Sequence, residues 1–546
     1  MDTIKIRVNN KDYEYNSGTS LYDIAKAFEG EYKQRIIVAT TDNRLSSLEK
    51  KINKSCTVNF YDVSSSIGKR TYIRGLYYLF SKAVKDVLNA DVKIMYFMDK
   101  SVYCEILTNN LISEVTVEKI KIRMRDLASE NIPINRIMVS RIEAINYFEK
   151  VNRLDKRDSL KYISNATISL YKFDNTLDYY YGILPCNSSY ITSFNLKYLE
   201  KNKVVLMPPI TFTNDEKFKY DKNGNILNEI NLQSTYLDNI RINNSADLNK
   251  YISNNNYNNI IRVSETMQNN QLLNIANEIM QNKDIKLVLI DGPSSSGKTV
   301  SAKKLSSYLF SKGYDPVSIS LYDYQKDVKD KEIDKKLMEE IDTRLFNKDI
   351  SSLLNGEEVS LPKYDYFEGK KEYRARNKVR LTGKSIIVVE GIGAFDTKLT
   401  EMIPDKNKYK VFVHPTTPLN IDNHNLFKET DNRLLRKIIK DTKTKNLSVS
   451  EILKIWKEIR QKEEERIYPN MNEANVIFNT SLVYELSVLK TYAEPLLFSV
   501  SEKDENYDDV VRLINIFRVI LGIPSEEVPE DSIIREYIGR SCFKDV

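Results

Sequence analysis

The chain has 546 residues, enough for three to four domains, and its 82 Lys and Arg against 76 Asp and Glu give a formal charge of only +6. Hydrophobic residues make up 41% and charged residues 29%, which excludes an intrinsically disordered chain. Only two histidines occur, His414 and His424, which excludes the multi-histidine zinc or iron centres of many enzymes.

The remaining composition favours a reducing, non-membrane setting. The four cysteines lie far apart and form no C-x-x-C pair, so a disulfide framework or Cys-rich zinc site is not expected. The start, MDTIKIRVNN, alternates apolar and polar residues and has no apolar signal region. The longest apolar runs have the length of strands. We therefore expect a cytoplasmic protein without a membrane segment.

The first 62 residues are predicted to form a small α+β unit. Period-two alternation and an apolar helical stripe place the elements as follows: strands at 4–8, 13–15, 36–39 and 58–61, and a helix at 21–28 capped by Thr19 or Ser20. This order suggests a β-grasp module, and a plain small α+β domain is the alternative.

A second unit begins near Gly68. Its predicted elements are a helix at 72–88, strands at 92–98 and 102–107, a helix at 117–130 and a Tyr-rich strand at 177–183, with an exit at Pro208-Pro209. Residues 216–270 are Asn- and Lys-rich, and the Asn runs at 254–256 and 258–259 predict loops around short helical pieces. We therefore interpret 216–270 as a linker region.

From residue 271 onward, strands and helices alternate. Short β-branched runs predict strands at 286–290, 317–321, 385–389 and 410–413. Runs of this kind are typical of a parallel sheet that is covered by helices on both faces.

One motif dominates this part of the chain. GPSSSGKT, residues 292–299, fits G-x-x-x-x-G-K-[ST] between a strand and a helix at about 299–311, as in phosphate-binding loops. Glycines let backbone N–H groups turn toward a phosphate, and the helix N-terminus adds its positive end. The alternative is a Gly/Ser-rich turn without a ligand. The chain has no N-K-x-D sequence, which favours ATP over GTP. The expected nucleotide contacts are Gly292, Ser294, Ser295, Ser296, Gly297, Lys298 and Thr299.

Three further features, two acidic residues and a basic helix face, could complete a phosphoryl-transfer site. Glu390 ends a predicted strand at the carboxyl edge of the sheet, where with the Thr299 hydroxyl it could ligate Mg²⁺; a solvated strand-end Glu is the alternative. Asp323 is a candidate general base, or a simple turn residue. Arg433 and Arg436 share one helix face with Lys437 and could clamp the transferring phosphoryl group as a lid, or form a solvated charged face.

The segment from about residue 287 to 497 resembles the uridine kinase and phosphoribulokinase family of P-loop kinases. The resemblance rests on DGPSSSGKT, LPKYDY (361–366), VVEGI (388–392), TDNRLLRKIIKD (430–441) and ANVIFN (474–479). It implies ATP and Mg²⁺ as cofactors, a nucleoside such as uridine or cytidine as acceptor, and Tyr364 and Asp365 as substrate contacts. A Tyr that packs in the core is the alternative for Tyr364.

The rest of the chain resembles a longer bacterial version of this family. Residues 1–62 look like a TGS domain, and residues 63–215 look like the second additional domain of threonyl-tRNA synthetase. The linker at 216–270 is followed by a kinase domain at 271–500 and by a helical tail at 501–546 that packs on the kinase. The expected fold is therefore multidomain α+β and α/β. It comprises a β-grasp domain, an α+β synthetase-like domain and a P-loop parallel-sheet kinase.

Several positions depart from the family pattern. Tyr322 stands where the resemblance implies the catalytic Asp, Gly393 replaces a histidine, and Leu426 replaces an arginine. If residues 322 and 323 lie on a strand they face opposite sides, so Asp323 is not expected to replace the missing acid. Because no histidine precedes His414, we also expect no editing metal site in the synthetase-like region.

Two functions follow from these observations. The first is an ATP-dependent nucleoside kinase that acts on a small-molecule acceptor. The second is a catalytically weakened nucleotide-binding pseudokinase with a regulatory or tRNA- or ribosome-associated role. Direct RNA binding has little support, because the charge is diffuse and no basic stripe is interleaved with aromatic residues. The sequence leaves the acceptor and the oligomeric state open.

Overall fold

The computed structural model describes residues 3–98, 100–209, 224–327, 341–365, 368–416 and 419–543. The predicted boundary at 215/216 and Tyr366 of the LPKYDY motif lie outside these ranges. None of the helices in the described ranges has the length and apolar character needed to cross a membrane.

The first unit is a mixed sheet with one helix packed on it. Its elements are β1 (Thr3–Val8), β2 (Lys11–Asn16), β3 (Thr19–Ser20), α1 (Leu21–Lys26), β4 (Ile36–Thr41), β5 (Arg44–Ser46), β6 (Lys51–Ile52) and β7 (Cys56–Asp62). Five strands pair in the order β2-β1-β7-β4-β5, with β1 and β7 parallel. Ser20 caps α1 by accepting the Asp23 N–H. The strands and the helix predicted for this unit are confirmed.

The second unit contains two antiparallel sheets. Its elements are α2 (Ser66–Leu88), β8 (Asp91–Met98), β9 (Ser101–Leu107), α3 (Glu114–Ser129), β10 (Ile134–Ser140), α4 (Arg141–Lys150), α5 (Leu154–Lys161), β11 (Thr167–Phe173), β12 (Thr176–Asp178), β13 (Asn195–Glu200) and β14 (Lys203–Met207). The sheet orders are β13-β14-β9-β8 and β10-β11-β12.

The predicted Tyr-rich strand at 177–183 is wrong beyond Asp178. The Tyr179 carbonyl accepts hydrogen bonds from the side chains of Lys156 (2.6 Å) and Asn425 (2.9 Å) rather than from a neighbouring strand. Gly182 has φ +149°, a value that interrupts regular pairing. Side chains therefore use the backbone groups that a strand would need.

The predicted linker is largely helical. It contains α6 (Gly224–Ile240), α7 (Ser245–Ser253) and the first part of α8 (Tyr257–Gln281), which continues past the predicted boundary at 270/271. Asn254–Asn256 do form the turn between α7 and α8, but Asn258 and Asn259 begin α8, so the expectation of a loop there is wrong. The apolar residues of α8 recur at helical spacing and are buried: Ile260, Ile261, Leu272, Ile275 and Ile279.

The third unit is built on an all-parallel sheet. Its strands are β15 (Leu287–Asp291), β16 (Asp315–Ser320), β19 (Ser385–Glu390), β20 (Lys408–His414) and β21 (Val476–Asn479), in the order β16-β19-β15-β20-β21. The four predicted strands are confirmed, and the fifth lies within ANVIFN. The helices are α9 (Lys298–Ser311), α10 (Thr343–Leu354), α11 (Glu429–Lys445), α12 (Val449–Arg466) and α13 (Glu485–Phe498), and a hairpin joins β17 (Val359–Asp365) to β18 (Lys370–Val379).

The C-terminal segment packs on this third unit through α14 (Tyr507–Phe517) and α15 (Arg535–Ile538). The units also share cores. Phe148 and Leu160 of the second unit lie in one hydrophobic cluster with Leu434 of α11 and Leu513 of α14. This shared core places α11 between the sheet of the third unit and the rest of the molecule.

Candidate nucleotide-binding site

The predicted phosphate loop connects β15 to α9, and two of its glycines are sterically required. A Cβ on Gly292 (φ +152°) would lie 2.1 Å from the Val413 carbonyl oxygen, and one on Gly297 (φ +90°) would lie 2.7 Å from the Ile533 methyl group. No side chain caps the N-terminus of α9. Its first N–H groups therefore stay available for an anion.

Side chains from distant segments hold the carbonyl groups of this loop. The Ser294 oxygen accepts from Arg433 (3.0 Å). The Ser295 oxygen accepts from Arg436 (3.3 Å) and the Tyr537 hydroxyl (3.2 Å), and the Ser296 oxygen accepts from Thr480 (2.5 Å). We call these four donors, Arg433, Arg436, Thr480 and Tyr537, the carbonyl clamp. Because it binds three successive carbonyls from outside, it presets the loop for N–H groups that point inward.

Lys298 and Glu390 lie together beneath the loop. The Lys298 ammonium is buried and donates to the Pro293 carbonyl (2.8 Å). Burial lowers the pKa of Lys298, and the carboxylates of Glu390 and Asp291 oppose that effect. Burial raises the pKa of Glu390, while a hydrogen bond from Ser320 (2.6 Å) and the charge of Lys298 lower it.

The second oxygen of Glu390 is suited to a cation. Glu390 Oε2 is buried and has no hydrogen-bond partner within the described ranges, and the same holds for Ser296 Oγ. Thr299, the second residue of α9, is half-buried. Carboxylate and hydroxyl oxygens are ligands that Mg²⁺ prefers, so these residues fit that ion. The described residues contain no group of three or more His, Cys, Asp or Glu that could hold a metal alone, so nucleotide phosphates and water would supply the other ligands.

Asp323 lies on the same side as Glu390. Its carboxylate accepts from Lys363 (3.2 Å) and from the Tyr364 N–H (3.1 Å), and it raises the pKa of Glu390. Residues Leu321–Tyr324 form a 3₁₀ turn rather than a strand. The expectation that residues 322 and 323 face opposite sides of a strand is therefore wrong, because strand alternation does not apply in a turn.

The two predicted substrate contacts lie on β17. Tyr364 is 6% exposed, and the carboxylate of Asp365 accepts the Glu368 N–H (3.1 Å) in the turn before β18. Asp323 thus joins this hairpin to the edge of the parallel sheet. Gly393, where the resemblance implies a histidine, donates its backbone N–H to Asp291 (2.9 Å).

The prediction that Arg433 and Arg436 form a lid is wrong, as is the alternative of a solvated face. Both side chains are fully buried. Arg433 pairs with Glu463 (2.9 Å) and Glu429 (3.1 Å), and Arg436 pairs with Glu485 (2.5 Å). Charged groups in a protein interior require such partners, which fix both arginines behind the loop.

Sequence reasoning missed most of the groups that support the loop. Glu463 accepts the Ser294 N–H (2.7 Å), and Thr480 and Tyr537 belong to the carbonyl clamp. Thr480 follows the ANVIFN motif directly, which is a usable signal. Glu463 sits in a run of charged residues and Tyr537 lies 242 residues from Ser295, so neither stands out in the sequence.

Comparisons with known proteins match two parts of the chain. Residues 287–485 match the family model described as the Phosphoribulokinase / Uridine kinase family. In its N-terminal part, the chain is 25% identical over 184 residues to the threonine–tRNA ligase of Francisella tularensis subsp. tularensis strain SCHU S4, and 24% identical to that of subsp. novicida strain U112. Each match covers 34% of this chain but only 29% of the ligase.

Among solved structures, the chain is similar to one described as a "Possible Uridine Kinase" from Bacillus stearothermophilus. The sequence identity is 18%, the TM-score is 0.24, and the match covers 36% of this chain and 89% of that one. The family model therefore matches the part of the chain that contains the phosphate loop, residues 287–485, which is about a third of its length.

Proposed function

We propose that the chain is an ATP- and Mg²⁺-dependent kinase that phosphorylates a hydroxyl group of a nucleoside. The observation that carries the proposal is the preset phosphate loop with the unpartnered Glu390 oxygen beside Lys298. Phosphoryl transfer depends mainly on positioning and charge neutralisation, and these groups supply both.

In the proposed reaction, the loop N–H groups and the N-terminus of α9 bind the phosphates. Lys298 leaves the Pro293 carbonyl to contact the β- and γ-phosphates. Thr299 and Glu390 would hold Mg²⁺, which when bound neutralises charge on the phosphates. The acceptor oxygen forms a bond to the γ-phosphorus as the bond to the bridging oxygen breaks, and ADP leaves. The proton of the acceptor hydroxyl passes to Asp323.

The acceptor would lie beside β17, where Asp323 accepts the Tyr364 N–H. Carboxylates bind sugar hydroxyls, so Asp323 and Asp365 at this edge suit a nucleoside. The Tyr364 ring is 6% exposed, as expected from the alternative of a tyrosine that packs in the core. We further propose the division into domains at 1–62, 63–215, 216–270, 271–500 and 501–546. The strand order of the first unit, with α1 on one face, supports a TGS-like β-grasp domain there.

A specific contact favours the second candidate function, a nucleotide-binding pseudokinase. Glu463 places a carboxylate on the Ser294 N–H, inside the loop that should receive phosphate. Together with Tyr322 in place of an acid, this arrangement would allow nucleotide binding with little turnover.

Radiolabelled ATP and a panel of nucleosides separate the two candidates. The kinase proposal expects a phosphorylated nucleoside from the wild type, loss of product in Lys298→Met and Glu390→Gln, and unchanged activity in Lys312→Met, an exposed lysine just after α9. ATP binding without product from any nucleoside, with turnover gained in Tyr322→Asp, would establish the pseudokinase instead.

A further inference from the structure

A large cavity lies where three helices from different units converge. It has a volume of about 660 Å³ and adjoins a second cavity of about 430 Å³, and both lie within the size range of ligand pockets. α2 of the second unit, the start of α11 and α14 of the C-terminal segment supply residues common to both: Arg70, Ile73, Leu426, Lys428, Asp431 and Arg512.

Most charges at this junction neutralise one another. Arg70 pairs with Asp508 and Asp509, both at 3.3 Å. Arg512 pairs with Asp431 (2.6 Å) and Asp509 (3.2 Å). These five side chains, three carboxylates and two guanidiniums, form one network with a single net negative charge, in which every carboxylate already contacts a guanidinium.

Arg74 and Lys428 line the larger cavity and lie outside that network. The Arg74 guanidinium donates to the Ile183 carbonyl (3.0 Å) and to Thr71 (3.3 Å), both of which are neutral. The Lys428 ammonium lies over the Phe97 ring, 5.4 Å from its centroid. Within the described ranges, neither side chain has a carboxylate partner.

The surroundings of Arg74 and Lys428 disfavour the charged forms of both side chains when no anion is bound. Burial and the charges of Arg70 and Arg512 together lower the pKa of Arg74 to about 10, against the opposing charge of Asp508. Burial also lowers the pKa of Lys428 to about 8; Asp431 opposes this, while Arg70, Arg74 and Arg512 add to it. Arg74 and Lys428 are half-buried and line the larger cavity, so two cations without a carboxylate partner face space that an anionic ligand could fill.

The surroundings indicate what the missing partner carries. The hydroxyl of Tyr77, one turn beyond Arg74 on α2, is buried without a hydrogen-bond partner in the described residues and lines the larger cavity. The smaller cavity has an apolar and aromatic wall: Ile73, Tyr96, Phe97, Phe427, Leu434 and Trp456. Cations that border an aromatic wall suit a ligand with both a phosphate group and a base.

We propose that this junction, defined by Arg74, Tyr77 and Lys428, binds a nucleotide at a site separate from the phosphate loop. The Arg74 fork and the Lys428 ammonium hold the phosphate, and the base packs on the aromatic wall. The site goes beyond the proposed kinase activity and does not depend on it, because no group of the junction belongs to the loop.

Calorimetric titration of the full chain with uridine 5′-monophosphate tests the proposal. Lys298→Met removes the loop lysine and leaves the junction intact, so this variant should still bind the nucleotide. Arg74→Met and Lys428→Met should weaken that binding at least tenfold, and so should replacing the nucleotide with uridine or with inorganic phosphate. Arg44→Met is the matched control, because Arg44 lines the same cavity but pairs with Glu502 (2.7 Å). It should bind within twofold of the wild type.

Two readouts separate a binding role from a structural one. A phosphate beside Lys428 raises its pKa, so binding at pH 8 should take up about half a proton, seen as a heat that depends on the ionisation enthalpy of the buffer. Lys428→Arg should bind without this uptake. Lys428→Met should melt no lower than the wild type without ligand, because a half-buried cation without a carboxylate partner is removed. Two results would overturn the proposal. In the first, Lys298→Met abolishes nucleotide binding and Lys428→Met leaves it unchanged. In the second, Lys428→Met is less stable than the wild type but binds the nucleotide normally.

Discussion

The substitution Glu463→Gln should lower the free energy of unfolding of the kinase unit more than a substitution at an exposed position of the same helix. The carboxylate is fully buried and accepts from the Arg433 guanidinium (2.9 and 3.0 Å), the Ser294 N–H (2.7 Å) and Arg460 (3.1 Å). Glutamine has one acceptor oxygen, and its amide N–H₂ would face donors. The substitution therefore removes one of the two carboxylate charges that balance Arg433, leaving only Glu429, and leaves at least one donor unpaired.

The burial of the ion pair determines how much stability Glu463→Gln should lose. Removal of one partner from a buried ion pair costs about 3–5 kcal/mol, and the near-identical shape of glutamine places this change at about 3 kcal/mol. That corresponds to a factor of about 150 in the unfolding constant of the unit. Glu464→Gln is the matched control. Its side chain is 50% exposed and pairs with Arg460 at 3.3 Å, so its loss should cost less than about 0.5 kcal/mol.

Urea unfolding followed by tryptophan fluorescence measures this difference. The only tryptophan of the chain, Trp456, lies on α12 with the Arg433 guanidinium 5.1 Å from its ring centroid. Its emission therefore reports on the kinase unit specifically. ATP affinity should also fall at least fivefold in Glu463→Gln, because Arg433 orients the Ser294 carbonyl. Equal unfolding free energies for the two variants would refute the assignment of Glu463 as the buried counter-charge of the loop.

Three further outcomes are expected. Gly297→Ala should abolish ATP binding, since its Cβ would meet Ile533 at 2.7 Å, whereas Gly313→Ala, also at positive φ but with nothing within 4 Å, should bind ATP normally in equilibrium dialysis. Tyr537→Phe should weaken ATP binding three- to tenfold without preventing folding, because Arg436 still holds the Ser295 carbonyl; unchanged affinity would remove Tyr537 from the carbonyl clamp. Burial lowers the pKa of His414 to about 4 in the folded protein, so as the pH falls the histidine is protonated in the unfolded chain before it is protonated in the folded one. The free energy of unfolding should therefore fall by about 2 kcal/mol between pH 7 and pH 5. His414→Gln should lose that part of the pH dependence in urea titrations.

The parts of the fold that the sequence predicts are those with local causes. The strands of the parallel sheet are short β-branched runs, and the loop motif contains its own backbone requirement in Gly292 and Gly297. The helix at 21–28 follows from an apolar stripe and a serine cap. In each case, residues within one turn or one strand determine the structure.

The features that were mispredicted depend on partners far away in the chain. Arg433 and Arg436 have the spacing of a solvated helix face, but their carboxylates, Glu463 and Glu485, lie 30 and 49 residues further on. No periodicity shows whether an arginine finds such a partner. The same holds for Tyr179, whose carbonyl is taken by side chains at positions 156 and 425. The polarity of a short segment therefore does not predict burial or secondary structure where a buried charged side chain binds the backbone.

The carbonyl clamp has a mechanical consequence for α11. Arg433 and Arg436 bind the loop from this helix, and Lys428, the residue before its first turn, lies in the three-helix junction. Lys428 and Arg433 are five residues apart, about 7.5 Å along a helix axis. A helix transmits axial displacement because its hydrogen bonds resist stretching, so α11 cannot shift at the junction without breaking the bond from Arg433 to Ser294 or carrying that carbonyl with it. The conformation of the phosphate loop is therefore tied to the packing of all three units, which explains why residues far from the loop in sequence determine its geometry.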